Sequence, residues 1–376
     1  MELNMLKRRQ TIQVAVGKGI KQKCIGSDHP ILVQAMTTTQ TSDVWETMNQ
    51  IMPLENAGCE MIRVAVQTPE DARAIREITR HLTIPLVADI HFNPQLALLA
   101  IEYGADKIRW NPGNITKTEM IKDIAQAAKD VKIPMRIGVN GGSLRKDLLD
   151  NPEFRTSSGG YKTAGMMVRE CLDAVALIED IVGGKGIVPL VLSVKASDPL
   201  AMLTANFDIA RQTDYPIHLG VTEAGSDEDG IIVSCAGLMP LLAYGIGDTI
   251  RVSIKDPLKQ IRAAYRILRS YGLREYGVRI ISCPTCGRMG NFPLTELEQR
   301  LNEEFSKRLD LRGTIALMGC PVNGIGESNQ HSYGLIGSHT GAADIYYNGN
   351  KEKRIEPPDI IDKIVVDALE FLEGKS

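Results

Sequence analysis

The chain is predicted to be an α/β protein, a (β/α)8 TIM barrel followed by a smaller α+β domain. Three observations predict this. Short runs rich in Val, Ile and Leu alternate with longer helical patterns for eight cycles between residues 31 and 271, which implies a parallel sheet with helices outside it. Eight cycles in roughly 240 residues fit a closed barrel, typically about 250 residues long. No Gly-x-Gly-x-x-Gly follows the first strand, which disfavours the open doubly wound alternative.

Residues 1–30 come before the cycles. A Gly-Lys-Gly turn between two β-like runs over 11–25 predicts a small hairpin that plugs the lower end of the barrel. The barrel itself is expected over 31–271. Its strands are read at 31–36, 61–66, 84–91, 107–111, 134–140, 189–195, 217–222 and 249–254. The helices that follow them are read at 44–57, 69–81, 94–103, 117–131, 163–181, 199–212, 230–244 and 257–271. The polar stretch 141–160 is read as a long loop placed to act as a lid. After a linker at 272–277, a second domain spans 278–376, with strands at 278–282 and 314–318 and a helix at 295–309. A meander at 333–355, turned by Asn348-Gly349, and a closing helix at 358–372 complete it.

Composition narrows the function classes. With 376 residues, 43% hydrophobic and 24% charged, the chain is that of a soluble globular protein of about two domains. A net charge of -3 argues against general nucleic-acid binding. The basic start, residues 1–10, lacks the apolar run of a signal peptide, and no stretch is long enough to cross a membrane, so a cytoplasmic location is expected. Seven irregularly spaced cysteines are not a disulfide framework. Cys24, Cys59 and Cys171 are read as small buried hydrophobes, and Cys235 falls early in the helix after the seventh strand.

Catalytic groups of such barrels lie at the carboxyl ends of the strands, and here those ends are polar. Arg63 lies in the second strand, Asp89 and His91 close the third, Arg109 and Asn111 the fourth, and Arg136 and Asn140 belong to the fifth. Lys195 ends the sixth, His218, Thr222 and Glu223 the seventh, and Arg251 and Ser253 the eighth. A single strand arginine usually marks an edge, since buried charge is costly. Four arginines and a lysine at equivalent places predict a multiply anionic ligand gripped by guanidinium forks. Glu223, a carboxylate among cations, is either a proton donor or a salt-bridge partner for them.

The second domain carries Cys283-Pro-Thr-Cys286 and Cys320, which opens a glycine-rich loop ending in Glu327. A Cys-x-x-Cys pair closed by a distant third cysteine is a metal-binding pattern. No fourth cysteine follows residue 280, so Glu327, His331 and His339 are the candidates for a fourth ligand. A structural zinc and an iron–sulfur cluster with one exchangeable iron fit the spacing about equally.

Each barrel helix returns from mouth to floor, and a linker of about seven residues reaches at most ~25 Å. That is too short to set the second domain over its own barrel's mouth. A head-to-tail homodimer with composite sites is therefore expected.

These residues sit in motifs that together resemble the bacterial 4-hydroxy-3-methylbut-2-en-1-yl diphosphate synthases of the methylerythritol phosphate route to isoprenoids. The motifs are VQAMT (33–37), ADIHF (88–92), IRWNPG (108–113), RIGVN (136–140), LSVK (192–195), HLGVTEAG (218–225), CPTCGR (283–288) and MGCPVNGIGE (318–327). The resemblance spans nearly the whole chain; Ala35 stands where many relatives have Ser, and the large insert of the plant-type members is missing. It implies a [4Fe-4S] cluster on Cys283, Cys286, Cys320 and Glu327. The implied reaction is the two-electron reductive ring opening and dehydroxylation of 2-C-methyl-D-erythritol 2,4-cyclodiphosphate, with flavodoxin or ferredoxin as electron donor. Arg63, Arg109, Arg136 and Lys195, with Asn140 and Ser253, would hold the diphosphate, and His91, Thr222 and Arg251 complete the expected binding set. Glu223 of the partner barrel would protonate the departing hydroxyl.

Overall fold

The computed structural model describes residues 7–154 and 159–375. They divide into two compact units, Met1–Arg274 and Glu275–Ser376.

The first unit opens with a hairpin of β1 (Val14–Val16) and β2 (Lys23–Ile25), paired antiparallel across the Gly-Lys-Gly turn. Val14, Val16 and Ile25 are wholly buried in one cluster with Leu32, Met61, Val87 and Val191, which lie at or near the starts of four barrel strands. The hairpin therefore packs against the floor of the barrel.

The barrel strands are β3 (Leu32–Met36), β4 (Met61–Val66), β5 (Leu86–Ile90), β6 (Lys107–Trp110), β7 (Met135–Asn140), β8 (Leu190–Lys195), β9 (His218–Leu219) and β10 (Thr249–Ile250). Their helices are α1 (Val44–Asn56), α2 (Pro69–His81), α3 (Pro94–Glu102), α4 (Thr118–Val131), α6 (Gly159–Val182), α7 (Pro199–Gln212), α8 (Asp227–Ala243) and α9 (Pro257–Ser270). The strands run parallel in order β8-β7-β6-β5-β4-β3-β10-β9, and a bridge from Leu192 to Ile217 closes the ring. Helix starts follow local chemistry: α2 has a capping box on Thr68 and Asp71 with Pro69 next, and α7 and α9 use Asp198 and Asp256 as caps before a proline.

Two readings need correction here. The seventh and eighth strands pair for only two residues each, so Thr222, Glu223, Arg251 and Ser253 stand on the loops beyond them. Backbone bonds from Thr222 N to Ala196 O (3.1 Å) and Arg251 N to Leu219 O (3.0 Å) still hold that chain against the barrel. The expected loop at 141–160 is a string of helical turns, Gly141–Ser143, α5 (Lys146–Leu149) and Pro152–Phe154, leading into α6. Residues 155–158 of that stretch lie outside the described residues.

After α9 the first unit ends at its floor. Arg274 donates to Ile31 O (2.6 Å), just before β3, and to Glu60 (2.9 Å), just before β4.

The second unit is a mixed sheet in order β11 (Val278–Ser282), β12 (Gly313–Met318), β13 (Tyr333–Gly337), β14 (Ala343–Tyr347), β15 (Asn350–Ile355). The first three run parallel and the last three form the expected meander, with Asn348 (φ 48°) and Gly349 (φ 85°) making its tight turn. Helices α10 (Leu294–Phe305) and α12 (Ile360–Leu372) supply Leu297, Leu301, Phe305, Ile364 and Ala368 to the core, where they meet Leu317, Leu335 and Ile345.

A third correction falls here. The glycine-rich stretch after Cys320 is a helix, α11 (Pro321–Ser328), with Cys320 at its N-cap and Pro321 in its first turn. Gly324 serves packing: a Cβ there would stand 2.9 Å from Ile336 Cγ1 on β13.

Candidate active site

Successive parallel strands place side chains on the inside of the barrel in rows. Asp89, Arg109 and Arg136 are direct register partners across β5, β6 and β7, and Asn140 partners Lys195 across β7 and β8. Eleven residues line one cavity: Arg63, Asp89, His91, Arg109, Arg136, Asn140, Ser193, Lys195, Thr222, Arg251 and Ser253. All nine residues expected to bind an anion are in this set. Asp89 and Ser193 join them; the signal for Asp89 was its position two residues before His91 at a strand end, and Ser193 faces the same way as Lys195 by the strand's period of two.

The cup is crowded with positive charge and nearly closed to water. Arg63, Arg109, Arg136 and Lys195 are 9%, 4%, 1% and 5% exposed, whereas surface cations are normally wet. Asp89 is the single carboxylate lining it: it accepts from Arg109 Nη1 (3.1 Å) and lies 3.7 Å from Arg63 Nε. Burial raises the Asp89 carboxyl, but Arg63 and Arg109 outweigh it and hold the group well below the usual carboxylate range.

Arg109 is fixed on several sides. It donates Nη2 to Gly138 O (2.9 Å) and its Nη1 lies 2.6 Å from His91 Nε2, while the Asn114 amide Nδ2 lies 2.8 Å from His91 Nδ1. Gly138 is required there, because a Cβ would collide with the guanidinium. Arg63 rests on Met36 Sδ, Arg136 donates to Gln34 Oε1 (3.2 Å) and Arg251 to Gln260 Oε1 (3.2 Å). None of these last partners carries charge. Burial first, then Arg63, lowers Arg251 to about 9, and burial followed by Arg63 and Arg109 lowers Arg136 well below its ordinary value. Four arginines and a lysine against one carboxylate leave a large positive excess in a low-dielectric cup, an arrangement suited to a polyanion.

Glu223 stands outside the cavity lining. Its side chain is exposed, and its backbone lies in the left-handed region at φ 53°, directly after the cavity residue Thr222. A left-handed non-glycine residue beside a binding cavity is a strained position of the kind found at functional sites.

In the second unit, Cys283 follows β11 and Cys320 lies two residues past β12, its parallel neighbour. Cys283 N donates to Leu317 O (2.9 Å), fixing the start of the Cys-x-x-Cys turn. Cys286 is exposed, Thr285 takes φ 60°, and all three thiols are free. Glu327 falls in the last turn of α11 and meets His331 Nε2 at 3.4 Å. Among the described residues, no three His, Cys, Asp or Glu side chains converge on a point where they could hold one metal ion. His339 packs beneath Gly290, where an added Cβ would stand 2.6 Å from its Nδ1. Of the other cysteines, Cys59 and Cys171 are core residues, and burial pushes their thiols up to about 12; Cys24, expected to be buried, is only half-buried, as is Cys235.

Comparison with known proteins agrees with this division. Residues 11–265 match the family model described as the GcpE TIM-barrel domain, and residues 279–369 match the GcpE protein C-terminal domain. A protein of Thermotoga maritima named 4-hydroxy-3-methylbut-2-en-1-yl diphosphate synthase (flavodoxin) is 43% identical over 361 residues, covering 96% of this chain and 98% of its own. Proteins of the same name from Hydrogenobaculum sp. and Aquifex aeolicus are each 41% identical, over 96% of this chain and 97% and 96% of theirs.

Proposed function

Because the chain belongs to the GcpE family, the 4-hydroxy-3-methylbut-2-en-1-yl diphosphate synthases of isoprenoid precursor synthesis, we propose a division of labour between its two units. The barrel cup grips the diphosphate of 2-C-methyl-D-erythritol 2,4-cyclodiphosphate, and the second unit holds a [4Fe-4S] cluster that feeds electrons to it. The observation that carries the reading is the cup itself, five buried or nearly buried cations around one engaged carboxylate.

Arg63, Arg109, Arg136, Lys195 and Arg251 neutralise the phosphate oxygens. Asn140, Thr222 and Ser253 supply neutral hydrogen bonds, and His91 stays aligned through Arg109 and Asn114. Since Asp89 and Gly138 O already fix Arg109, its guanidinium reorganises little on binding.

The donor set of the second unit suits a cluster. Cys283, Cys286 and Cys320 are free thiols at the ends of two adjacent parallel strands. Cys320 and Glu327 stand at opposite ends of α11, a rise of about 10 Å, long for two ligands of one ion and natural for two corners of a larger group. When bound, such a cluster supplies electrons singly, from flavodoxin or ferredoxin, for the two-electron reductive ring opening and dehydroxylation. Glu327, the one oxygen donor beside three thiolates, would be the most labile of the four ligands. Glu223, at the rim, donates a proton from its carboxyl to the hydroxyl oxygen that leaves as water.

We infer further that the working form is a head-to-tail homodimer. Arg274 is tied to the floor beside Ile31 and Glu60, and eight residues lie between it and Cys283, a reach of at most ~30 Å when fully extended. That span must turn outward and climb the whole barrel wall to serve its own mouth, so the mouth of a second copy is the better served.

Anaerobic purification tests the reading. Brown protein carrying iron and acid-labile sulfide is expected, and Glu327→Cys should keep the iron while losing most turnover. Colourless protein without iron, or full turnover in Glu327→Cys, would overturn it.

A further inference from the structure

Beneath the cup the barrel core holds more base than it can charge. Lys107, two residues before Arg109 on β6, is fully buried, and among the described residues its Nζ meets no hydrogen-bond partner. On β8, Lys195 Nζ rests 3.1 Å from His218 Nε2, and His218 Nδ1 lies 2.7 Å from Thr249 Oγ1. Among the described residues, no carboxylate hydrogen-bonds to any of these three basic groups.

What faces them is mostly more positive charge. Arg63 on β4 and Arg136 on β7 act on all three, and Arg109 and Arg251 add to the field at Lys195. Asp89 on β5 is committed to Arg63 and Arg109, with His91 at 3.6 Å. Burial first, then Arg136 and Arg63, holds Lys107 well below the ordinary lysine range; the same causes act on Lys195, and burial followed by Lys195 lowers His218.

We propose that substrate binding draws protons from solution onto the buried bases under the cup, Lys107 foremost, so that the barrel completes its positive charge only when the anion arrives. The inference rests on the reading of the cup as the diphosphate site. A diphosphate seated among Arg63 and Arg136 replaces the field that repels a proton from Lys107 with one that attracts it. An arginine could not serve this way, since it stays protonated; a buried lysine can switch.

The sign follows from linkage. On this proposal Lys107 is more fully protonated in the complex than in the free protein, so its pKa is higher when the anion is bound. Affinity is therefore greatest at the low-pH side of the window and falls as pH rises, by up to about tenfold per pH unit for each proton taken up. The ring diphosphate, a strong acid like a phosphodiester, stays ionised at and above neutral pH and contributes no proton of its own.

Calorimetric titration of the cyclic diphosphate into the full-length, anaerobically prepared and unreduced protein tests this, in two buffers of different ionisation enthalpy at one pH. The expected result is uptake of about one proton or more per site, reduced by about one in Lys107→Met, with a flatter pH dependence of Kd. Binding heats that do not depend on buffer overturn the proposal, and that wild-type measurement decides even if Lys107→Met does not fold. Full uptake in a folded Lys107→Met overturns the assignment to Lys107. Arg136→Met separates the two readings: wild-type affinity in that variant removes the diphosphate site itself, whereas lost binding together with a proton-neutral wild type removes only the proton uptake.

Discussion

At the scale of single residues, the cup is a problem of unbalanced charge solved by geometry. Gly138 lets Arg109 lie flat across β7, and Asp89 holds the same guanidinium from the other side. Gly138→Ala should displace Arg109 and raise KM for the cyclic diphosphate at least about tenfold with the fold intact, as steady-state kinetics and circular dichroism would record. An unchanged KM would mean that the seat of Arg109 is immaterial. Lys107→Met should raise stability by about 1–4 kcal/mol in thermal or denaturant unfolding, because an apolar side chain of similar length replaces a buried, unpartnered amine. The cations among the anion-binding candidates were legible from sequence because arginine or lysine at the end of a buried parallel strand conflicts with the cost of burial. Lys107 was not, since a lysine at a strand start reads as solvated and only coordinates reveal that its amine has no partner. Glu223 was legible as a misplaced carboxylate, but its left-handed backbone was not, because nothing in the pattern marks that residue as strained.

At the scale of elements, periodicity carried the reading wherever burial dictates residue type. The barrel strands and helices differ from expectation mostly by a residue or two at their ends. It failed at α11, where two glycines and a proline suggest a loop. There, tertiary packing overrides propensity: the helix lies so near β13 that Gly324 has no room for a side chain. Gly324→Ala should destabilise the second unit by about 1–3 kcal/mol. Differential scanning calorimetry should detect this as a lower transition for that unit, and an unshifted transition would contradict the packing account. The polar stretch 141–160 failed for a related reason, as short helical turns leave no periodic signature.

At the scale of the whole molecule, the account joins a polyanion cup on the barrel to a thiolate and carboxylate set on a separate unit. The order of the units and the change of pattern near residue 275 were visible in the sequence, because eight strand-helix cycles exhaust a barrel and a meander with a Cys-x-x-Cys cannot continue one. Chain reach then asks that cup and cysteines come from different copies. The most direct test mixes two inactive variants, Arg136→Met with a dead cup and Cys286→Ser with a dead cluster site, after dissociation and reassociation under anaerobic conditions. Random hybrids between them contain one intact site in two, so recovery to roughly a quarter of wild-type activity is predicted. Hybrids demonstrated by mass but without activity would contradict the account.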